Sequence, residues 1–218
     1  MSETDSFIEE VSEEVRRDRL FALMRKYGWI ALLAVLLIVG GAAYNEWNKA
    51  RERARAEALG DQLLSALEQG DAKARLDALA KIQDGSPEAK ALTRLLMAAA
   101  SQNADDKDAA LAALKGVEQE SGLPQAYRDL ATLKLVLLAG TDMPVAERRE
   151  KLQTIAVGGA PFRLLASEQL AMLDLEEGDK DAAISRLRDI VNDVEVTSGL
   201  RDRASQMIVV LGGEPEAS

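Results

Sequence analysis

The chain contains no cysteine and no histidine. Their absence removes thiolate nucleophiles, Cys/His zinc sites, haem-ligating histidines and imidazole acid–base chemistry in one step. It leaves the redox compartment open, because disulfide-free proteins occur on both sides of membranes. Aromatic residues are scarce, 4% of 218 residues, and unevenly placed. Tyr27, Trp29, Tyr44 and Trp47 bracket one stretch, Phe21 precedes it, and beyond Trp47 only Tyr127 and Phe162 remain. A core in that later region must be built from Leu, Ala, Ile and Val, which favours close-packed helices over a β-sandwich or barrel. Cations are outnumbered, 27 against 37 acidic residues, for a formal net charge of −10. That balance argues against nucleic acid as a partner, since a phosphate backbone calls for a basic face. The length suits one domain of about 100–200 residues with an appendage.

The appendage is YGWIALLAVLLIVGGAAY, residues 27–44, which holds no charged side chain in a sequence that is 29% charged. Eighteen residues make about 27 Å of helix, close to the hydrocarbon thickness of a bilayer. Tyr27, Trp29, Tyr44 and Trp47 sit where interfacial aromatic belts are found. Two other readings exist: a buried core helix, and a cleaved signal peptide ending at Gly41-Ala42-Ala43. Against cleavage stand an n-region of 26 residues with seven acidic groups and an apolar core longer than the usual 7–15 residues. The stretch therefore reads as a retained signal anchor. Arg16, Arg17, Arg19, Arg25 and Lys26 flank it on one side, and Lys49, Arg51, Arg53 and Arg55 on the other. Arg25 and Lys26 abut the run directly, so the expected orientation is N-terminus inside. Gly40-Gly41 would let a second helix approach closely, or is simply tolerated there.

The remaining sequence repeats itself. GDAKARLDAL (70–79), DDKDAALAAL (105–114) and GDKDAAISRL (178–187) align without gaps, and a weaker fourth member ends at Leu152. Leu79, Leu114, Leu152 and Leu187 are spaced 35, 38 and 35 residues apart. Leu92, Tyr127 and Phe162 recur every 35 residues, as do Leu95, Leu130 and Leu165, and Ala100, Leu135 and Leu170. Pro87, Pro124 and Pro161, 37 apart, are each expected at the head of a helix, where a missing N–H is harmless. Each unit reads as helix, turn, helix. Gly70, Gly140 and Gly178 are expected to take the left-handed conformation that ends a helix. Asp71, Asp106 and Asp179 suit the N-cap or first turn of the next one. Alanine pairs at 109–110 and 182–183 permit close helix packing. Residues 198–213 have the length and spacing of a terminal capping helix. Residues 45–69 have helix-forming composition without proline, so the membrane helix is expected to run on into the first repeat helix. In the tail, Phe7, Ile8, Val11 and Val15 lie at helical spacing, compatible with an amphipathic helix or with disorder. The rival to repeats is an unrelated Ala/Leu helix bundle.

A helix–turn–helix of this length, with Gly-Asp before the second helix and Ala183 and Leu187 within it, resembles the tetratricopeptide repeat, although the first-helix Trp, Gly and Tyr are missing. The whole chain resembles the YfgM-like family: the charged tail with EEVRRDRLFALMRKYG (13–28), one span, an aromatic exit ending NEW (45–47), and degenerate repeats. That resemblance implies a bacterial inner-membrane protein, N-terminus cytoplasmic and C-terminal domain periplasmic. It also implies a place beside the Sec translocon, helping periplasmic chaperones receive emerging polypeptides.

The expected architecture is all-α: a charged tail (1–26), a transmembrane helix (27–44), a tetratricopeptide-like solenoid with a capping helix (45–213) and a short tail (214–218). No catalytic, cofactor or metal residues are assigned, and no small-molecule substrate. The carboxylate pairs Glu9-Glu10, Asp105-Asp106 and Glu176-Glu177 read as solvated rather than as converging acid–base groups. Asp105–Asp108 lacks the glycine and the bidentate Glu of a calcium loop, Gly116 standing at the twelfth position. No GxxxxGK[ST] or GxGxxG phosphate loop occurs. The expected function is a non-enzymatic, membrane-anchored protein-interaction scaffold. Its candidate partner-facing residues are Arg94, Arg128 and Arg163, the last two 35 apart; the alternative for these is a solvated helix face. Competing functions are a scaffold for another envelope-biogenesis or cytochrome-maturation complex, and an enzyme working with carboxylates alone.

Overall fold

Leu79, Leu114, Leu152 and Leu187 are all fully buried, and their place in the fold explains their spacing. In the computed structural model the described residues are helical with short connections and no strands: α1 (Glu3–Leu67), α2 (Ala72–Leu79), α3 (Pro87–Asn103), α4 (Lys107–Glu118), α5 (Gln125–Ala139), α6 (Val145–Ile155), α7 (Arg163–Glu176), α8 (Lys180–Val191) and α9 (Ser198–Val210). The structure describes residues 3–83 and 85–214, without the side chains of residues 3–23 and 31. The amphipathic spacing of Phe7, Ile8, Val11 and Val15, the pair Glu9-Glu10, the flank Arg16, Arg17 and Arg19, and the tail beyond Glu214 thus lie outside the description. Each of the four leucines is the eighth residue of its helix, in α2, α4, α6 and α8. Even spacing follows from even helix starts.

Three of these starts are fixed by side-chain caps, and α6, preceded by Pro144, has none. Asp71, Asp106 and Asp179 accept the N–H of Ala74, Ala109 and Ala182 at 2.8, 3.0 and 2.9 Å. Two of these aspartates also close the preceding helix. The N–H of Asp106 donates to Ser101 O at 2.9 Å and that of Asp179 to Asp174 O at 2.8 Å. This six-to-one closure requires a left-handed residue just before. Gly178 supplies it at φ +84°, and Asp105 supplies it at φ +57° without being glycine. One residue therefore ends a helix with its amide and starts the next with its carboxylate.

The sequence expectations need correction at four joints. Gly70 does not adopt positive φ. The end of α1 is closed by Gln69, whose Nε2 donates to Ser65 O, and by Arg75, whose Nε donates to Gln69 O. Gly140 has φ +56° with ψ −133° and leads into a 3-10 turn, Gly140–Asp142. Five residues thus separate α5 from α6, against three between α3 and α4 and between α7 and α8. Of the prolines, only Pro87 is the first residue of its helix; Pro124 directly precedes α5, and Pro161 lies two residues before α7. Pro144, which the repeat pattern did not single out, directly precedes α6.

The chain divides into two units, Met1–Ala58 and Leu59–Ser218. In the first, α1 exposes the apolar stretch: Ile30, Leu33, Leu37 and Ile38 are 45%, 50%, 68% and 72% accessible. It is the one helix among the described residues that is long and apolar enough to cross a membrane.

In the second unit neighbouring helices share core. Leu63 and Ala66, at the end of α1, pack with Leu79 and Ala100. Leu114, Leu135, Leu152 and Leu170 belong to a central cluster running from α3 to α7. Leu187 joins Ile184, Leu200, Ala204 and Ile208 beneath α9. That helix packs on α8 at the C-terminal end of the second unit. Its own end is closed by Gly213, where a Cβ would come within 2.9 Å of Ile208 Cγ2. Ala110 and Ala183, fourth in α4 and α8, are fully buried. The fourth residue of α6 is Arg148, also buried.

Candidate protein-interaction surface

The first helix of each unit turns one row of residues into the core and leaves another accessible. Leu135 and Leu170 are buried with Ala100, so that series is core. The other two series are mixed: Leu92 and Leu165 are exposed, while Leu95, Tyr127 and Phe162 are half-buried and pack against the core clusters. Leu92, Leu137 and Leu165 leave apolar area on α3, α5 and α7 that a partner's side chains can bury against. Near its C-terminal end lies a pocket of about 310 Å³ between the start of α7 and the α8–α9 connection. Pro161, Leu164, Leu165 and Leu200 line it, with Arg163 and Glu195 at its polar edge.

The three arginines occupy joints rather than a single row. Arg94, on α3, donates to Gly116 O at 3.1 Å and lies 3.6 Å from Glu120. Arg128, on α5, donates to the carbonyls of Ser121 and Leu123 at 3.1 and 3.0 Å, more distantly to that of Glu120, and to Gln125 Oε1. Arg94 and Arg128 thus meet at Glu120. Arg163 lies at another joint. It forks onto Asp193 at 2.8 and 3.0 Å and reaches Glu195 at 2.7 Å. That pairing holds the Asp193 carboxyl below the usual range, with the Arg163 hydrogen bond the main cause. A partner's carboxylate arriving at any of these guanidiniums competes with groups already in place.

More charge lies inside the later units than the repeat pattern indicates. Arg148 donates from Nε to Met143 O at 2.9 Å and forks onto Glu176 at 2.8 and 2.6 Å. Next to it, Arg149 reaches Asp174 at 2.8 Å and also Glu177. Arg186 of α8 closes on the other Asp174 oxygen at 2.9 Å. Burial pushes the Asp174 carboxyl up, but hydrogen bonds from Arg186 and Arg149 outweigh it and hold the group below its ordinary value. Lys151 on α6 and Thr132 on α5 both donate to Glu118 Oε1, at 2.8 and 3.1 Å. These contacts tie neighbouring helices together, α4 to α6 as well as α6 to α7 and α7 to α8. Sequence spacing could not find them, because they depend on which helix faces which. The one available signal was Arg148 standing at an alanine position.

The aromatics that bracket the apolar stretch are accessible: Tyr27 is 48%, Trp29 63%, Tyr44 67% and Trp47 57% exposed. Tyr44 and Trp47 are one helical turn apart with ring centroids 6.3 Å from each other. Lys26 lies over the Tyr27 ring at 5.4 Å and Arg51 over the Trp47 ring at 4.8 Å. Each end of the apolar stretch therefore carries an aromatic ring beneath a cation.

Residues 24–156 match the tetratricopeptide repeat-like domain family, more than half of the chain. No curated protein and no solved structure matches. The match runs from the start of the apolar helix to just past α6, and α7–α8 continue the same pattern with Asp179 and Leu187 in their places. By caps, buried leucines and this match, the chain belongs to the tetratricopeptide repeat-like domain family.

Proposed function

We propose that this protein is a non-enzymatic interaction scaffold. Residues 27–44 cross a bacterial inner membrane once with the N-terminus inside, and the repeat unit stands in the periplasm beside the Sec translocon, where it assists chaperones that receive emerging chains. The observation that carries the scaffold reading is the exposure of Leu92, Leu137 and Leu165 on α3, α5 and α7, within a family whose domains generally bind other proteins. The exposed apolar surface of α1 supports the anchor, since a bilayer is the solvent that makes such exposure favourable. The translocon and the chaperones rest on the likeness of tail, span and exit sequence to the YfgM-like family.

The test is a partner census. The intact chain is purified from its own membranes in mild detergent, beside a version whose residues 27–44 are replaced by an unrelated span. Translocon subunits retained by the intact chain support the placement, and their loss on swapping assigns the contact to the span. Recovery of a different envelope complex, such as one for cytochrome maturation, keeps the scaffold and replaces the machine.

A further inference from the structure

Just past the apolar stretch, α1 reads WNKARERAR (47–55), in which Lys49, Arg51, Arg53 and Arg55 stand against one carboxylate, Glu52. All four cations are exposed, and among the described residues none enters an ion pair. Glu52 is engaged by Asn48, whose Nδ2 donates to its Oε1 at 3.2 Å. In the repeat unit eight of eighteen cations, Arg148, Arg163 and Arg203 among them, have a carboxylate within ion-pair distance. The four on α1 have none that close, although Glu46 and Glu57 stand one helical turn from Lys49 and Arg53.

Their placement distinguishes the possible counter-charges. At about 100° per residue, Lys49 and Arg53 share one side of the helix and Arg51 and Arg55 the roughly opposite side. A protein groove meets one face of a helix, whereas a lipid surface meets every face at one height. The four residues span about 9 Å along the axis, beginning about 3 Å past Trp47, somewhat more than the roughly 5–8 Å of polar layer on each side of a hydrocarbon core, so the far pair must reach back along their side chains. The Arg51 guanidinium over the Trp47 ring joins the lower edge of the cations to the aromatic belt. Long aliphatic stems let such residues lie along the boundary while their charges reach headgroup phosphates.

We propose that Lys49, Arg51, Arg53 and Arg55 form a collar that binds anionic phospholipid headgroups around α1. The proposal rests on residues 27–44 being a membrane span. The test uses the full chain carrying Trp29→Phe, so that Trp47 is its one tryptophan. It is reconstituted into vesicles of phosphatidylcholine with phosphatidylglycerol, only one of the two lipids being brominated high on its acyl chains at a time. Quenching of Trp47 fluorescence then reports which lipid lies against it. The expected result is phosphatidylglycerol enriched roughly threefold to fivefold over its mole fraction, falling to bulk composition when all four cations are changed to Gln. Continued quenching of that variant by brominated phosphatidylcholine shows that it still inserts. Equal quenching by the two lipids in the parent overturns the collar, as does enrichment that survives the four substitutions. Absence of quenching by either lipid overturns the membrane span itself.

Discussion

Arg148 of α6 and Glu176 of α7 form a two-pronged ion pair at 2.6 and 2.8 Å. It occupies the place where the equivalent helices α4 and α8 bury Ala110 and Ala183. A guanidinium fits there because its Nε–H finds the Met143 carbonyl and its other two nitrogens find one carboxylate. The expected cost of Arg148→Ala is about 2 kcal/mol, because a buried fork is lost while the half-exposed Glu176 is rehydrated. Removing both partners together should cost less than the sum of the single changes by about 1 kcal/mol or more. Thermal unfolding of the full chain in detergent, run as a double-mutant cycle, measures this.

Asp105 and Gly178 offer a paired test of backbone conformation. Both have positive φ at equivalent joints, α3–α4 and α7–α8. Gly178→Ala is expected to cost about 1 kcal/mol, and Asp105→Gly to be neutral or to gain a few tenths, relief of the left-handed Asp offsetting the extra freedom of the unfolded chain. Chemical unfolding midpoints compare the two directly.

Burial separates leucines that the sequence pattern treats alike. Leu114→Ala should cost about 2–5 kcal/mol, as a fully buried side chain leaving a cavity. Leu92→Ala, at an exposed position, should cost about 1 kcal/mol or less. If α3 contributes to partner capture, Leu92→Ala weakens retention in the partner census while leaving the melting temperature nearly unchanged.

Acid should loosen the later units. Asp174, Glu176 and Asp193 are all held below their ordinary values by arginines, so the folded chain binds protons less readily there than the unfolded one. Their contribution is complete above the unfolded values of about 4 and is lost as pH falls through those values and the lower native ones. The melting temperature is expected to fall steeply below about pH 4, and Asp174→Asn to flatten that slope while lowering stability at neutral pH.

Orientation has a direct readout, because the chain has no cysteine of its own. Ser218→Cys should react with a membrane-impermeant maleimide in intact spheroplasts. Reaction only after lysis places the repeat unit inside.

The starts of α2, α4 and α8 were readable because they depend on local chemistry, an Asp whose carboxylate meets a free N–H; those expected at Pro124 and Pro161 were displaced by one and two residues. The 38-residue interval was visible, but its cause was not, since a 3-10 turn at Gly140 has no unique residue signature. Arg148 stands at an alanine position of the pattern, but nothing in the sequence places Met143 and Glu176 beside it. The spacing of Arg128 and Arg163 was real, yet their contacts differ, carbonyls for one and carboxylates for the other. Periodicity reports which position a residue holds and says nothing about what faces it.

Asp106 and Asp179, which end one helix with the amide and open the next with the side chain, make their turns indivisible. A residue added at 104–106 or 177–179 separates the two duties, so α4 or α8 would start out of phase and carry its buried leucine off the core. The Gly140–Pro144 connection has no such shared residue and already holds two residues more than the other two. Insertions and deletions during divergence should therefore accumulate there, making the joint before α6 the place where related chains differ in length.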